Sequence, residues 1–171
     1  MSVNIRPEKA SDIAAIRAIN QAAFPGPAEA QLVDLLRARS KILVSLVAET
    51  DQNVVGHILF SLVSIDLPQG TIMGAGLAPV AVLPVYQKQG IGKRLIQEGL
   101  IACQKADCPL VVVLGDPDYY QKFGFQPASK YGLRNEYNVD EEFMIVIFQA
   151  KSLPEKGGMV KYAPEFVETG V

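Results

Sequence analysis

The 171-residue chain carries 16 Lys and Arg against 18 Asp and Glu, a formal net charge of −2. This balance argues against nucleic acid or an anionic membrane as a partner, and a hydrophobic content of 49% excludes a disordered chain. No apolar run reaches the ~20 residues that a membrane span needs, and the N-terminus lacks a signal-peptide pattern. We therefore expect a soluble, cytoplasmic domain.

The first forty residues predict one strand and two helices. Ser2–Pro7 alternates weakly between apolar and polar positions and ends at a proline, which indicates a short strand. Apolar residues at helical spacing then predict a helix from Ser11, its candidate N-cap, to Phe24. Pro25-Gly26-Pro27 ends that helix, and a second helix is expected over residues 28–40.

The next part of the chain favours three strands. Residues 42–49 and 54–65 flank a polar turn, which predicts a hairpin. Thr71–Leu83 is the third strand, and Pro79 lies inside it. Because proline cannot donate a hydrogen bond to a sheet, we expect a bulge or bend that leaves backbone N–H and C=O groups free for another partner.

A strand, a glycine-containing turn and a helix follow one another in the centre of the chain. The turn is Gln87–Gly92, and the helix is predicted over residues 92–105. The first N–H groups of a helix have no partner within it, and the helix dipole adds positive potential there. Lys88, Lys93 and Arg94 add charge. The arrangement predicts a site for a phosphate or pyrophosphate group.

Two further strands and a short helix are predicted after this turn. Residues 109–114 form an apolar run typical of a buried strand, which would complete a right-handed βαβ unit. A short helix over residues 119–123, capped by Gly124, comes next. A final core strand is expected over residues 143–150.

The remaining segments are predicted to be less regular. Pro127–Asn138 and Pro154–Gly158 have the composition of loops, and residues 158–162 favour an edge strand before a frayed end. We expect the main domain to span residues 1–150. Residues 151–171 would form a C-terminal extension that packs on the same domain or extends it.

Two familiar phosphate-binding loops do not fit the turn. A Walker A loop requires glycine at position 87 and serine or threonine at position 94, where the chain has Gln87 and Arg94. The dinucleotide fingerprint requires a further glycine at the position of Leu95. A nucleoside triphosphatase and a nicotinamide-dependent enzyme are therefore disfavoured.

The two cysteines, Cys103 and Cys108, do not form a metal-binding pattern. No second pair of cysteines and no nearby histidine accompanies them. We expect reduced, structural thiols and no metal cofactor.

Two motifs identify a known family. Gln87-x-x-Gly90-x-Gly92 follows a strand that ends Val82-Leu83-Pro84, and Tyr120-x-x-x-Gly124-Phe125 lies downstream. In motifs and element order the chain resembles the GNAT family of acyl-CoA-dependent N-acetyltransferases along about Val3–Phe148. Gly115-Asp116-Pro117-x-Tyr119-Tyr120 and the Tyr162-Ala163-Pro164-x-Phe166 tail resemble a bacterial subgroup of uncharacterised activity.

The resemblance implies the fold and the co-substrate. The fold would belong to the α/β (α+β) class, with a mixed, mostly antiparallel, twisted sheet of six to seven strands flanked by about four helices. The co-substrate would be acetyl-CoA, its pyrophosphate at the turn and its pantetheine arm beside the bent strand.

The alternative is that Gly92 only relieves crowding at a helix start and that the lysines are solvated. The candidate cofactor-binding residues are Ala81, Val82, Leu83, Gln87, Lys88, Gln89, Gly90, Ile91, Gly92, Lys93, Tyr119 and Phe123.

The resemblance also assigns the catalytic acid. It places Tyr120 where a phenol would protonate the departing thiolate, and a phenol pKa near 10 suits that role. Tyr119 is the second candidate, and Tyr120 could instead only pack in the core. The backbone N–H of Val82 is expected to polarise the thioester carbonyl.

The general base is left open. Thr71–Leu83 contains no Asp, Glu or His, although many relatives carry a glutamate there. Glu29, His57, Asp66 or a water molecule could serve, or no base is needed. A lone histidine in an apolar strand more often has a structural role.

The acceptor and the assembly state are also open. We expect an enzyme that acetylates a small-molecule or peptide amine by direct attack, because neither cysteine lies with a base partner. The sequence does not indicate the acceptor, the acyl length or whether the protein forms a homodimer. A non-catalytic acyl-CoA-binding or regulatory domain and a partner-interaction domain without cofactor are the rival interpretations.

Overall fold

The computed structural model describes residues 2–153 and 157–171. Within them the order of the sheet is β1-β2-β3-β4-β5-β8-β6, with β9 beside β3 and β7 beside β9. Most pairs are antiparallel, which confirms the predicted class, and two short strands (β6 and β7) enlarge the predicted sheet. The strands are β1 (Asn4–Pro7), β2 (Ile42–Thr50), β3 (Asn53–Leu67), β4 (Gly70–Val82), β5 (Leu110–Leu114), β6 (Gln126–Pro127), β7 (Leu133–Asn135), β8 (Phe143–Ile147) and β9 (Gly158–Lys161). The helices are α1 (Ile13–Ala23), α2 (Ala28–Ala38), α3 (Ile91–Lys105), α4 (Pro117–Tyr120) and α5 (Glu165–Thr169).

Apolar layers cover both faces of the sheet. One layer packs α3 against the sheet and includes Leu95 and Phe60, while the other includes Ile16 of α1 and Leu32 of α2. The buried apolar residues of α1, α2 and α3 recur at helical spacing, as the sequence predicts. Among the described residues, no helix combines the length and hydropathy required to cross a membrane.

The start of α1 differs from the prediction that Ser11 caps it. A 3₁₀ turn, Ala10–Asp12, precedes the helix, and the exposed Ser11 makes no capping hydrogen bond. Asp12 instead accepts a hydrogen bond of 2.7 Å from the backbone N–H of Lys9. It also pairs with Arg6 at 2.7 Å. A carboxylate bonded to a guanidinium is a stronger acceptor than a hydroxyl, which explains why Asp12 takes this position.

Replacing Asp12 by asparagine is expected to destabilise the fold at neutral pH. Arg6 holds the pKa of the buried Asp12 carboxyl at about 2, below its ordinary value of 3.8. A shift of that size corresponds to about 2 kcal/mol. Because the unfolded chain binds the proton more tightly, this stabilisation is present above pH 4 and disappears as the pH falls toward 2. Asp12→Asn should lower the free energy of unfolding at pH 7 by about that amount.

Urea unfolding from pH 7 to pH 2 measures both effects of this substitution. The variant should lose less stability than the wild type between pH 4 and 2. Glu141→Gln, which changes an exposed carboxylate, is the control and should stay within about 0.5 kcal/mol of the wild type. An unchanged acid slope in Asp12→Asn would contradict the role assigned to the Arg6–Asp12 pair.

The sheet opens beside β4. β4 pairs with β3 along its whole length, but it pairs with the parallel β5 only at Ala75 and Gly76. The β3–β4 register shifts between Ile58 and Phe60, opposite Pro79. This irregularity confirms the predicted bend, and from Leu77 onward the outer edge of β4 has no strand partner among the described residues.

Two predicted boundaries after residue 125 are wrong. The segment 127–138, predicted to be a loop, contains β7, which pairs with β9 in parallel. Asn135 supports the turn after β7, because its side chain donates to the Val139 carbonyl at 2.6 Å. The predicted strand over 143–150 ends at Ile147, since Phe148 and Gln149 donate to the carbonyl of Pro109 outside the sheet ladder.

The C-terminal segment is part of the core rather than a frayed end. β9 lies between β3 and β7, so it is not the predicted edge strand. α5 follows, and its Phe166 is buried. The buried carboxylate of Glu165 bonds to Arg39 at 3.0 Å and to Lys41 at 2.9 Å, which fixes α5 beside the end of α2. Part of the loop predicted over residues 154–158 lies outside the described residues.

Candidate active site

The turn before α3 presents unpaired backbone amides. Gly90 is the N-cap of α3 and has a φ of 83°, a conformation that glycine adopts without steric cost, so the helix begins at Ile91 rather than Gly92. The N–H groups of residues 88–93 make no backbone hydrogen bond within the described part of the chain. A Cβ added to Gly90 would meet no atom within 4 Å. The turn therefore leaves a concave set of donors open to a ligand.

Gln87 ties this turn to the open edge of β4. Its side-chain amide donates to the Val82 carbonyl at 2.9 Å. On the other side, the N–H of Leu83 donates to Val55 of β3 at 2.9 Å. Since backbone groups alternate along an antiparallel strand, Ala81 and Leu83 turn toward β3, and the N–H of Val82 faces the open edge. Of Ala81, Val82 and Leu83, which the resemblance assigned to the pantetheine arm, Val82 is the one whose backbone N–H faces the open edge.

A cavity of about 400 Å³, here called the loop cavity, lies between the turn and the open edge of β4. Ala81, Leu83, Gln89 and Phe123, which are also in the predicted set, do not line it. Arg94 does not line it either, because its guanidinium donates to the Val3 carbonyl at 2.6 Å. The lining residues are Val80, Val82, Tyr86, Gln87, Lys88, Gly90, Ile91, Gly92, Lys93 and Tyr119.

Two residues that line the loop cavity, Val80 and Tyr86, were not predicted from the sequence. Val80 could have been found from strand alternation, because it precedes Val82 by two residues and faces the same edge. Tyr86 ends a 3₁₀ turn and lines the same cavity as Tyr119 of α4, a proximity that only the tertiary structure decides. The charges on the lining side chains are those of Lys88 and Lys93, so the cavity suits an anion.

A smaller cavity of about 190 Å³, here called the bend cavity, adjoins the loop cavity at Val80. It lies where β4 bends at Pro79 and is closed on the other side by the start of α2. Its lining brings together two predicted candidates from distant parts of the chain, Glu29 and Tyr120. The lining residues are Phe24, Glu29, Leu77, Ala78, Pro79, Val80, Leu114, Tyr120 and Val171.

The Tyr120 ring is held by close packing. It contacts Phe125 edge to face at a centroid distance of 5.6 Å and Tyr119 at 5.1 Å. It also lies directly over Gly115, where an added Cβ would come within 2.3 Å of Cε2. The hydroxyl makes no hydrogen bond within the described residues and is not one of their buried unpaired polar atoms, so it is open to the bend cavity.

Burial raises the pKa of Tyr120 to about 12, and the neighbouring Tyr119 adds to the shift. The phenol therefore keeps its proton across the physiological range. Tyr119 is more exposed and lines the loop cavity, and its pKa is also raised by burial. The two adjacent tyrosines thus serve different cavities, with Tyr120 on the side away from the turn.

His57 lies outside both the loop cavity and the bend cavity. It is fully buried in β3, with Asn20 at 3.3 Å from one ring nitrogen and Ser45 at 3.0 Å from the other. Burial, with a contribution from the Arg37 charge, lowers its pKa to about 3. The imidazole is neutral at pH 7 and fixed by two partners, which is the structural role that the sequence favoured.

Asp66 lies at the far end of the β3–β4 hairpin. Its carboxylate pairs with Lys161 at 2.8 Å and accepts a hydrogen bond from Thr71 at 3.4 Å. The Lys161 charge lowers its pKa, and its exposed position is remote from the bend cavity. Of the three side chains considered as a base, the structure brings Glu29 alone to a cavity beside Tyr120.

A third cavity of about 420 Å³, here called the C-terminal cavity, continues from the bend cavity. The two share Leu77, Ala78, Leu114 and Val171. The rest of its wall comes from the segment after β7 and from the C-terminal tail. Those residues are Tyr137, Val139, Tyr162 and Phe166.

Metal binding and cysteine chemistry find no support in the described part of the chain. Residues 2–153 and 157–171 contain no group of three or more His, Cys, Asp or Glu side chains that could hold a metal ion. Cys103 and Cys108 are free and buried. Burial raises the pKa of both thiols, which makes them poor nucleophiles.

The comparisons with known proteins agree with this geometry. The model of the acetyltransferase (GNAT) domain family matches residues 4–128. The chain therefore belongs to the GNAT family of acetyltransferases.

Two relatives from Escherichia coli cover three quarters or more of this chain. An N-acetyltransferase of Escherichia coli, YhbS, is 33% identical over 95% of this chain and 97% of its own length. A second one, YjhQ, is 38% identical over 77% of this chain and 75% of its own length.

Solved structures agree closely. The crystal structure of YhbS in complex with CoA matches with a TM-score of 0.88 and 34% identity over 96% of this chain and 92% of its own. A GNAT acetyltransferase from Brucella melitensis in complex with acetyl-CoA matches with a TM-score of 0.79 and 37% identity over 96% of this chain and 98% of its own.

Proposed function

We propose that this protein transfers the acetyl group of acetyl-CoA directly to a primary amine. The observation that carries the proposal is the meeting of two cavities at Val80. One cavity is walled by unpaired backbone amides and lysines, and the other holds the open hydroxyl of Tyr120. The YhbS and Brucella melitensis structures, which contain CoA and acetyl-CoA, support the same co-substrate.

The residues present fit coenzyme A. The amides of residues 88–93, with Lys88 and Lys93, would hold the pyrophosphate at the positive end of α3. The open space at Gly90 is the room that a phosphate needs to approach the backbone. The outer edge of β4 at Val80 would pair with the pantetheine amides as a strand would, which leaves the N–H of Val82 for the thioester carbonyl. When bound, acetyl-CoA supplies a thioester as the activated acyl group.

Transfer forms a carbon–nitrogen bond and breaks the carbon–sulfur bond. The electron pair of the broken bond stays on sulfur, which takes a proton from Tyr120, while the amine gives up one proton. The N–H of Val82 donates to the carbonyl oxygen, where negative charge develops. The raised pKa of Tyr120 keeps this proton in place until the sulfur departs, and the proton that the amine releases restores the phenol afterwards.

Glu29 is proposed to receive the proton of the amine. Among the residues that line the three cavities it has the only carboxylate side chain. It lies at the first turn of α2, lines the bend cavity and is half-buried. Proton transfer proceeds directly or through one water molecule.

Acyl-CoA binding without catalysis is the second candidate function. The observation that favours it is the absence of Asp, Glu and His from residues 71–83, where many relatives carry a glutamate. A binding module would need the loop cavity but neither Tyr120 nor Glu29.

An assay over a panel of amines and peptides decides between the transferase and the binding module. It measures thiol release from acetyl-CoA and detects acetylated product by mass. Acetylated product together with equimolar free CoA supports the transferase. Stabilisation by acetyl-CoA without thiol release across the whole panel would favour the binding module. A thermal midpoint that does not rise with excess acetyl-CoA would contradict both, since a ligand specific to the native state must raise stability.

A further inference from the structure

We propose that the acceptor is an apolar amine: a primary amine, without an anionic group, carried on an aliphatic or aromatic body. This inference rests on the proposed acetyl transfer and names its substrate class. The bend cavity would hold the amine beside Glu29 and Tyr120, and the C-terminal cavity would hold the body.

Shape supports an elongated acceptor with its amine at one end. Val80 connects the loop cavity to the bend cavity, and Leu77, Ala78, Leu114 and Val171 connect the bend cavity to the C-terminal cavity. A molecule that enters the bend cavity with its nitrogen toward Val80 can direct its other end into the C-terminal cavity across the four shared residues. The path lies along the bend of β4, away from the turn.

The wall of the C-terminal cavity selects an apolar body. Its lining has no charged side chain, and it is formed by aliphatic residues and the rings of Tyr137, Tyr162 and Phe166. The hydroxyls of Tyr137 and Tyr162 are themselves buried, so the rings present mainly their apolar surfaces. A dry cavity of roughly 150 Å³ is enough for benzene. The volume of about 420 Å³ therefore accommodates a ring with a short chain.

Charge selects an amine and rejects an acid. Glu29 is the only ionisable carboxylate side chain in the two acceptor cavities, and neither cavity is lined by a Lys or Arg side chain. A carboxylate on the acceptor would meet Glu29 without a compensating cation. A polyamine would place its second ammonium against the apolar wall, whose lining has no acidic side chain. A single positive charge next to an apolar group matches both cavities.

Matched acceptors test the proposal in the intact protein. With acetyl-CoA saturating, kcat/KM should rise about fourfold for each methylene added along a short series of n-alkylamines, as expected for burial of one methylene. Phenethylamine should exceed phenylalanine, which has the same body and a carboxylate, by at least about 100-fold. It should also exceed a polyamine of similar length.

Two variants separate the amine end from the apolar end. Glu29→Gln should raise the KM for phenethylamine about tenfold or more without changing the KM for acetyl-CoA, and it should keep the methylene slope. Val171→Asp places a carboxylate in the lining of the C-terminal cavity, at a residue that is 38% exposed, and should flatten the dependence of kcat/KM on methylene number. Glu98→Gln on the exposed face of α3 is the control and should change neither value.

Each contrary outcome points to a different error. Efficient acetylation of phenylalanine or a polyamine, with apolar amines inert, would overturn the apolar-amine inference and leave the transferase intact. A Glu29→Gln variant with an unchanged acceptor KM would also overturn it. Failure of every amine class to yield acetylated product, in a protein stabilised by acetyl-CoA, would overturn the proposed function and this inference with it.

Discussion

Tyr120→Phe is expected to lower kcat by about 10²- to 10⁴-fold and to leave the affinity for acetyl-CoA unchanged. That range is typical for the loss of one general acid. The substitution removes the hydroxyl alone, and the ring contacts with Phe125 and Tyr119 remain, so the fold should be preserved. Thiol-release kinetics and acetyl-CoA titration by calorimetry measure the two quantities.

Tyr119→Phe is the matched variant, because its hydroxyl belongs to the loop cavity rather than the bend cavity. It should change kcat much less than Tyr120→Phe. Full turnover in Tyr120→Phe, or a larger loss in Tyr119→Phe, would contradict the assignment of the acid.

The pH profile provides a separate check on Tyr120. Its pKa is raised to about 12 by burial, so the phenol stays protonated well above the pH at which an ordinary tyrosine ionises. For an acceptor whose amine is already neutral, kcat should therefore show no decline up to pH 10. A decline with a midpoint near 10 would indicate an exposed phenol instead.

Gly115→Ala is expected to impair catalysis through the position of Tyr120. The added Cβ would lie 2.3 Å from Cε2 and 2.8 Å from Cδ2 of the Tyr120 ring, which real side chains do not tolerate. The ring must move, and we expect kcat to fall about 10- to 100-fold, because small displacements of a catalytic group are costly. Overpacking of this kind also costs about 1–3 kcal/mol of stability.

The double variant distinguishes this effect from general damage. If Gly115→Ala acts through Tyr120, then Gly115→Ala with Tyr120→Phe should show little further loss of kcat beyond Tyr120→Phe alone. Gly99→Ala is the control, since its Cβ would lie 2.4 Å from the ring of Phe60 in the core. It should lower stability by a similar amount and retain kcat. Additive losses in the double variant would contradict the positioning role of Gly115.

The turn and its neighbours could be predicted because their signals are local. Gly90 is required by a positive φ at the helix cap, and Pro79 disrupts the ladder of the strand that contains it. The prediction that Ser11 caps the helix is wrong, because Asp12 makes the capping hydrogen bond instead. That choice depends on Arg6, which belongs to a different element.

Local signals do not predict which backbone groups at the open edge of β4 are free. Ala81, Val82 and Leu83 look equivalent in the sequence, yet only the register with β3 decides which backbone groups face the cleft. The side chains of the C-terminal cavity are a second example. Phe166 and Tyr137 come from segments predicted to be frayed or looped, and their packing depends on β9 and on the ion pairs of Glu165.

By itself, therefore, the sequence determined the family resemblance, the phosphate-type turn at Gln87–Gly92 and the candidate acid at Tyr120. These features depend on residue type and short spacing, which act within a few residues along the chain. Only the tertiary structure decided that Tyr120 and Glu29 share a cavity and that its continuation is apolar. Such proximities arise from strand pairing and side-chain packing between residues far apart in sequence, where no local spacing records them.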